Sequence, residues 1–335
     1  MKQLTVSAPG GLDRLELGEA PDPGAPGPGE VRVRVHASSL NYHDYLVVSG
    51  GTRTEDGRIP LADGAGVVEA VGEGVEDFAE GDAVVSCFFP LWQDGPPVDG
   101  NFRRVPGDGL DGYAREAVVR PATWFTRAPA GWSHAEAATI TTAGVTAWRA
   151  LMVDGGLRAG DVVLALGTGG VSVYATQLAK AVGATVVVTS SSDEKLERVR
   201  RLGADHVINY RETPEWGRAV QELTDGRGAD HVIEVGGPGT LAQSIRAVRV
   251  GGHISLIGVL TGAAGDVPTA LLMARQARLQ GLLVGSRRDQ ADFVRALEAT
   301  GLRPVIDRRR PLAEAADAFR EMESARHFGK IVLEH

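Results

Sequence analysis

The apolar run Val162–Leu166 leads directly into Gly167-Thr168-Gly169-Gly170-Val171-Ser172, and helical spacing follows at Val171, Tyr174, Ala175, Leu178, Ala179 and Val182. A glycine-rich turn between strand and helix lets backbone approach a pyrophosphate, and the helix N-terminus favours its negative charge. The pattern is G-x-G-x-x-S, with Ser172 where a third glycine would permit close helix–strand packing. Alone such a turn is a weak signal. With the strand before it, the helix after it and a second strand at Ala184–Thr189, it reads as a dinucleotide site contacted by Gly167, Gly169, Gly170 and Val171. Proteins that grip a free ribose hydroxyl carry Asp or Glu at the end of that second strand. Here Ser190-Ser191-Ser192 stand there, and Asp193 and Glu194 come later, where they suit a first helical turn. Ser190, Ser191 and Lys195 would accept a 2′-phosphate, and Tyr210 would line the adenine side. The expected cofactor is NADP(H).

The elements that hold this turn fall into two parts. Val31, Val33 and Val35 alternate with Arg32, Arg34 and His36, the period of a half-exposed strand. Gly66–Val71 and Ala83–Ser86 follow between glycine-rich turns, so the first part reads as a small barrel-like β domain. The stretch Cys87–Gly112 has neither helix nor strand period. Its Phe88, Phe89 and Trp92 either pin a surface excursion or form an apolar lid over a flat substrate. From Asp161 onward strands alternate with helices: Val162–Leu166, Ala184–Thr189, His206–Tyr210, Asp230–Val235, His253–Ile257 and Leu279–Val284 are the strands. A helix over Glu194–Leu202 would start at a capping box, Ser191-x-x-Glu194. This rhythm predicts an α/β fold with a doubly wound parallel sheet. Asp289–His335 adds two amphipathic helices and a last strand, Lys330–Leu333.

Composition narrows the function. The 335 residues are 43% hydrophobic and 23% charged, which excludes a collagen-like or mainly disordered chain. A net charge of −8 favours neither a nucleic acid nor an anionic membrane as partner. The single cysteine, Cys87, excludes an intramolecular disulfide and a cysteine-rich zinc site. The N-terminus lacks a signal-peptide h-region and the apolar runs are strand-sized, so a cytoplasmic location is expected.

Several stretches together resemble the medium-chain dehydrogenase/reductase superfamily along essentially the whole chain. They are Pro28-Gly29-Glu30-Val31, Ser39-Leu40-Asn41-Tyr42-His43-Asp44, Asp63-Gly64-Ala65-Gly66-Val67-Val68, Val71-Gly72-Glu73-Gly74-Val75, Gly81-Asp82, Thr142-Ala143-Gly144-Val145-Thr146-Ala147-Trp148 and Leu202–Tyr210. The resemblance implies a GroES-like catalytic domain over 1–125 and 287–335, and a Rossmann NADP(H)-binding domain over 126–286. It also implies cofactor contacts at Thr142, Thr146, Gly236, Ile257, Gly258, Ser286 and Lys330. Zinc-dependent members hold their metal with a Cys, a His and a further Cys, and the matching places here carry Asn41, Ala62 and Thr142. No zinc is therefore expected. The chain looks nearest to the zinc-free quinone oxidoreductases and enoyl reductases, which pass hydride from NADPH to an activated C=C bond or a quinone.

Without a Lewis acid, hydrogen-bond donors must stabilise the charge that builds on the carbonyl oxygen. Asn41 would donate through its amide, Tyr42 or His43 would give the proton, and Asp44 would support the site. Three alternatives stand beside this reading: a metal-free alcohol or ketone oxidoreductase, a pathway-specific biosynthetic reductase, and a cofactor-binding protein without turnover. The late apolar strands and the resemblance imply a homodimer.

Overall fold

The computed structural model describes all residues from Met1 to His335. In chain order the first elements are β1 (Lys2–Val6), β2 (Leu15–Glu19), β3 (Glu30–Ser39), α1 (Tyr42–Ser49), β4 (Ala65–Val71), β5 (Ala83–Ser86), β6 (Ala117–Pro121), β7 (Phe125–Arg127) and α2 (His134–Ala138). The short α3 (Val145–Trp148) lies between two π-helical turns, Ile140–Gly144 and Arg149–Val153. Strands and helices then alternate: β8 (Val162–Leu166), α4 (Gly170–Val182), β9 (Thr185–Ser190), α5 (Asp193–Arg201), β10 (His206–Asn209), α6 (Trp216–Leu223), β11 (Ala229–Glu234), α7 (Pro238–Ala247), β12 (Val248–Leu256), α8 (Thr269–Arg275) and β13 (Arg278–Gly281). The chain closes with α9 (Arg287–Thr300), β14 (Ile306–Pro311), α10 (Ala315–Glu323) and β15 (Lys330–Glu334). No helix is long and apolar enough to cross a membrane.

Two compact units emerge, Met1–Val145 with Val284–His335, and Thr146–Leu283. The boundary differs from the one expected at 125/126. Residues 126–145 belong with the first unit because β7 pairs with β5, and α2 packs on β3, β4 and β5.

The first unit is built on a sheet ordered β14-β15-β3-β4-β5-β7, with β6 also paired to β3. The alternation seen in the sequence decides which face of β3 is covered. Val31, Val33 and Val35 are buried with Val68, Val84, Val118 and Phe125, while the intervening arginines stay on the other face. A second cluster, Leu40, Val48, Ile59, Leu61, Phe319 and Ile331, fixes α1 and α10. Strand β14 was not expected. Its Ile306-Asp307-Arg308-Arg309-Arg310 has no apolar alternation, because it lies at the sheet margin with β15 as its partner.

The second unit is a parallel six-stranded sheet, β10-β9-β8-β11-β12-β13. This is the doubly wound order, reversing direction at β8. Its core joins Leu164, Val187, Ile208, Val232 and Ile254 of the strands to Val220, Leu241 and Ile245 of the helices. Strand β8 has its expected limits. Strand β12 begins earlier than expected, at Val248, and β13 ends earlier, at Gly281 rather than Val284.

Candidate active site

In the first unit, Asn41 stands in extended conformation at the head of α1. The Asp44 carboxylate reaches back to accept from the Asn41 backbone N–H at 2.9 Å, closing the first turn as a cap does. The same carboxylate accepts from Ala62 N at 3.0 Å, which ties α1 to the segment before β4. Lys330, at the start of β15, is 4% exposed. Its ammonium donates to Leu40 O at 2.5 Å and to Asn41 Oδ1 at 2.6 Å. Asn41 Nδ2 donates to Ser39 O at 3.3 Å and to Asp44 Oδ2 at 3.1 Å. Both amide hydrogens are thus engaged inside the protein. The sequence suggested a substrate donor; the geometry makes Asn41 a link between Lys330 and Asp44.

Asp63 is fully buried beside this chain of contacts. It accepts from Ser39 Oγ and from Thr142 Oγ1, both at 2.5 Å. Burial pushes its carboxyl up to about 6, against the pull of the Lys330 ammonium and with the Asp44 charge adding to the rise. Burial likewise pushes the Lys330 ammonium below the usual lysine range, against the attraction of Asp63 and Asp44. A hydroxyl relay fixes the turn before β4: Ser86 Oγ donates to Ala62 O at 3.0 Å and accepts from Gly64 N at 2.9 Å, while Thr141 Oγ1 donates to Ser86 O at 2.8 Å.

His43, one turn along, lies with Nε2 3.3 Å from Asp108 Oδ2. Tyr42 is 43% exposed, with its ring centre 5.8 Å from that of Tyr45. The structure separates the three aromatics of the long loop. Phe88 meets His43 edge-on at 5.1 Å. Phe89 and Trp92 are buried against each other and against Phe102, at ring separations of 5.0 to 6.3 Å. These two rings pin the loop rather than form a lid. Ser286, expected at the cofactor, caps α9: its hydroxyl donates to Asp289 Oδ2 at 2.8 Å and accepts from Asp289 N at 3.1 Å. Lys330, expected there too, spends its donors on Leu40 and Asn41, and Thr142 spends its hydroxyl on Asp63.

The fold leaves no tetrahedral ligand set in the three positions discussed above. Ala62 has no donor atom, the Thr142 hydroxyl serves Asp63, and the Asn41 amide is fully engaged. No three His, Cys, Asp or Glu side chains gather as a metal-binding group anywhere in the chain. These residues do not fit a zinc ion.

In the second unit, the turn between β8 and α4 has the shape that a pyrophosphate needs. Gly167 has φ +73°, which glycine adopts without cost, and its N–H donates to Thr189 O at 2.8 Å. Gly169 precedes the first turn of α4, and a Cβ added to it or to Gly167 would meet nothing within 4 Å. Open space thus faces the helix N-terminus, flanked by Gly170 and Val171. Ser172 is 2% exposed and donates to Leu166 O at 2.6 Å, so this small side chain fits the tight packing and satisfies its own hydroxyl. These residues fit a dinucleotide.

At the end of β9, Ser190 is buried and its Oγ accepts from Ser192 N at 3.4 Å. Ser192, not Ser191, caps α5 by accepting from Lys195 N. Asp193 accepts from Asn209 Nδ2 at 2.8 Å, and Tyr210 is 42% exposed after β10. Thr146 is buried in α3. Glu234, which the sequence reading passed over, ends β11 fully buried. Its Oε1 accepts from Gly236 N at 2.7 Å, Gly237 N at 3.0 Å and Thr240 Oγ1 at 2.6 Å, and its backbone carbonyl accepts from Ile257 N at 2.8 Å and Gly258 N at 3.2 Å. One acid therefore shapes both the Gly236 and the Ile257–Gly258 turns. The signal was an acidic residue closing an apolar strand just before a Gly-Gly pair.

Known proteins agree with this architecture. Residues 27–130 match the alcohol dehydrogenase GroES-like domain family, and 170–300 match the zinc-binding dehydrogenase family. A zinc-type alcohol dehydrogenase-like protein of Schizosaccharomyces pombe is 41% identical over 96% of each chain. A solved NAD-dependent alcohol dehydrogenase is 37% identical with a TM-score of 0.91, covering 100% of both chains. A variant of the crotonyl-CoA carboxylase/reductase AntE, in complex with NADP, is 27% identical with a TM-score of 0.88, over 100% of this chain and 94% of that one. With the GroES-like sheet, the doubly wound unit and these relatives together, the chain belongs to the medium-chain dehydrogenase/reductase superfamily and is an oxidoreductase of that family.

Proposed function

We propose that the protein is a zinc-independent, NADPH-dependent reductase acting on an activated C=C bond or a quinone. The observation that carries this reading is the fate of the three positions where zinc-dependent members hold their metal. They bear Asn41, Ala62 and Thr142, locked into a network with Lys330, Asp44 and Asp63. A reduced nicotinamide bound in the cradle supplies a hydride. The chain's own residues do the rest. Gly167 and Gly169 admit the pyrophosphate, Ser190 and Ser191 stand at the end of β9 with the neighbouring Asp193 carboxylate taken up by Asn209, and Glu234 holds the Gly236 and Ile257–Gly258 turns. A conjugated acceptor suits such a site, because the charge formed on reduction is delocalised and hydrogen bonds suffice to carry it. The NADP complex of the crotonyl-CoA carboxylase/reductase supports both the cofactor and the substrate class.

A second reading, a metal-free alcohol or ketone oxidoreductase, is favoured by the description of the 37% identical structure as an NAD-dependent alcohol dehydrogenase. One assay separates the two. Oxidation of NADPH and of NADH is followed with a quinone, an enone, an enoyl thioester and an aldehyde, before and after chelation. NADPH-preferring, chelator-resistant turnover of the conjugated substrates is expected. Turnover of the aldehyde alone, or loss of activity on chelation, would reject the proposal.

A further inference from the structure

Asp108 belongs to the loop between β5 and β6, and it lies 65 residues from His43 in sequence. Its Oδ2 is nevertheless 3.3 Å from His43 Nε2. The other ring nitrogen, Nδ1, is buried and makes no hydrogen bond; it sits 3.8 Å from Asp44 Oδ1. Phe88 covers the ring edge-on. The imidazole is therefore flanked by a carboxylate of its own helix, a carboxylate of the loop and an apolar ring. Arg58 is the cation facing Asp108, and its guanidinium is itself bonded to Asp111 at 3.0 Å and to Glu55.

We propose that Asp108 is a positioning residue that holds a proton on Nε2 of His43, and that His43 gives up this proton to complete the reduction. The proposal rests on the reductase reading above. Nε2 is the donor atom because Nδ1 is buried; its 3.3 Å contact with Asp108 is long for a charge-assisted hydrogen bond, so a substrate oxygen beside Asp108 can share or take over the same N–H. The step balances. Hydride adds as an electron pair to the electron-poor carbon, Nε2–H passes its proton to the resulting enolate or hydroquinone anion, and the neutral imidazole regains a proton from water. Burial of the ring opposes its charge, but the Asp108 and Asp44 carboxylates outweigh that cost and raise His43 to about 9. The imidazolium is then the resting form at neutral pH.

Asp108→Asn in the full-length protein keeps the side-chain shape and removes the charge. Imidazole titration by NMR, with His43→Gln assigning the resonance, should show His43 titrating above an ordinary histidine. In Asp108→Asn it should titrate lower by about one pH unit or more. The alkaline limb of kcat/KM should move down by the same interval while the NADPH dissociation constant stays unchanged. Asp108 is 40% exposed, so the variant is expected to fold, and Asp108→Ser repeats the test through a second side chain. An unmoved His43 titration in both variants overturns the proposal, as does a lowered titration with an unmoved alkaline limb. Failure of the unaltered protein to bind NADPH would instead overturn the reductase reading, and the imidazole titration would still decide whether Asp108 holds the proton.

Discussion

Asp63 shows what burial does to a single charge. Two hydroxyls and the field of Lys330 favour its ionised form, yet desolvation wins and its carboxyl rises to about 6. A raised carboxyl binds its proton more tightly in the folded state than in the unfolded chain. The stabilisation it contributes is complete below the ordinary carboxylate range and is lost as pH rises through about 6. Asp63→Asn should remove that slope, so urea midpoints of the variant and the unaltered protein should converge at acid pH and separate above pH 6, the variant being the more stable. Parallel midpoint curves would show that Asp63 does not titrate in this window. Lys330→Met should act in the opposite sense at neutral pH. It strips the donor from Asn41 Oδ1 and Leu40 O and leaves Asp44 and Asp63 without their buried cation, at a cost of about 3 kcal/mol in the same unfolding measurement.

At the scale of elements, the turn between β8 and α4 offers a substitution that separates binding from folding. Gly169 has φ −79°, an ordinary value for any residue, and a Cβ there meets no neighbouring atom. Gly169→Ala should therefore unfold at the same denaturant concentration as the unaltered protein, while its Cβ occupies space that a pyrophosphate would need. NADPH affinity measured by fluorescence should fall about tenfold or more, or about 1.4 kcal/mol. Unchanged affinity would show that the cradle is not where the cofactor lies. Gly167→Ala is a poorer probe, since φ +73° strains any side chain in the folded protein itself.

The same turn shows what the sequence makes legible. Val162–Leu166 reads to the residue because an acid and a glycine bound a pure apolar run. The N-cap of α5 falls on Ser192, one position after the expected Ser191, and no capping box closes it, because Lys195 rather than Glu194 then stands three residues on. Strand β14 was hidden because arginines fill an edge that needs no apolar face. Asp63 lies inside a recognised motif, but its role depends on Ser39, Thr142 and Lys330, which are distant in sequence. Asp108 could not be assigned at all, since an aperiodic loop says nothing of which carboxylate returns to α1.

For the whole molecule, the sheet of the second unit ends on β13, whose outer edge has no strand beside it. Exposed apolar side chains belong to the segments on either side of β13: Met273 of α8 at 75% and Leu283, two residues after the strand, at 59%. An open strand edge beside such residues is a template for pairing, and in a soluble oligomer a twofold axis is the simplest way to cover it. We propose that two copies join their β13 edges to form a homodimer. Sedimentation at micromolar concentration should then give twice the chain mass. The pair Met273→Lys and Leu283→Lys should give single chains, because each copy would bring the same charges to the axis. The cradle sits at β8, separated from β13 by β11 and β12 in the sheet, so the charged variant should keep its NADPH affinity. Single chains in the unaltered protein at that concentration would remove the dimer and leave the apolar edge to another partner. A dimer that survives both lysines would place the contact on a different surface.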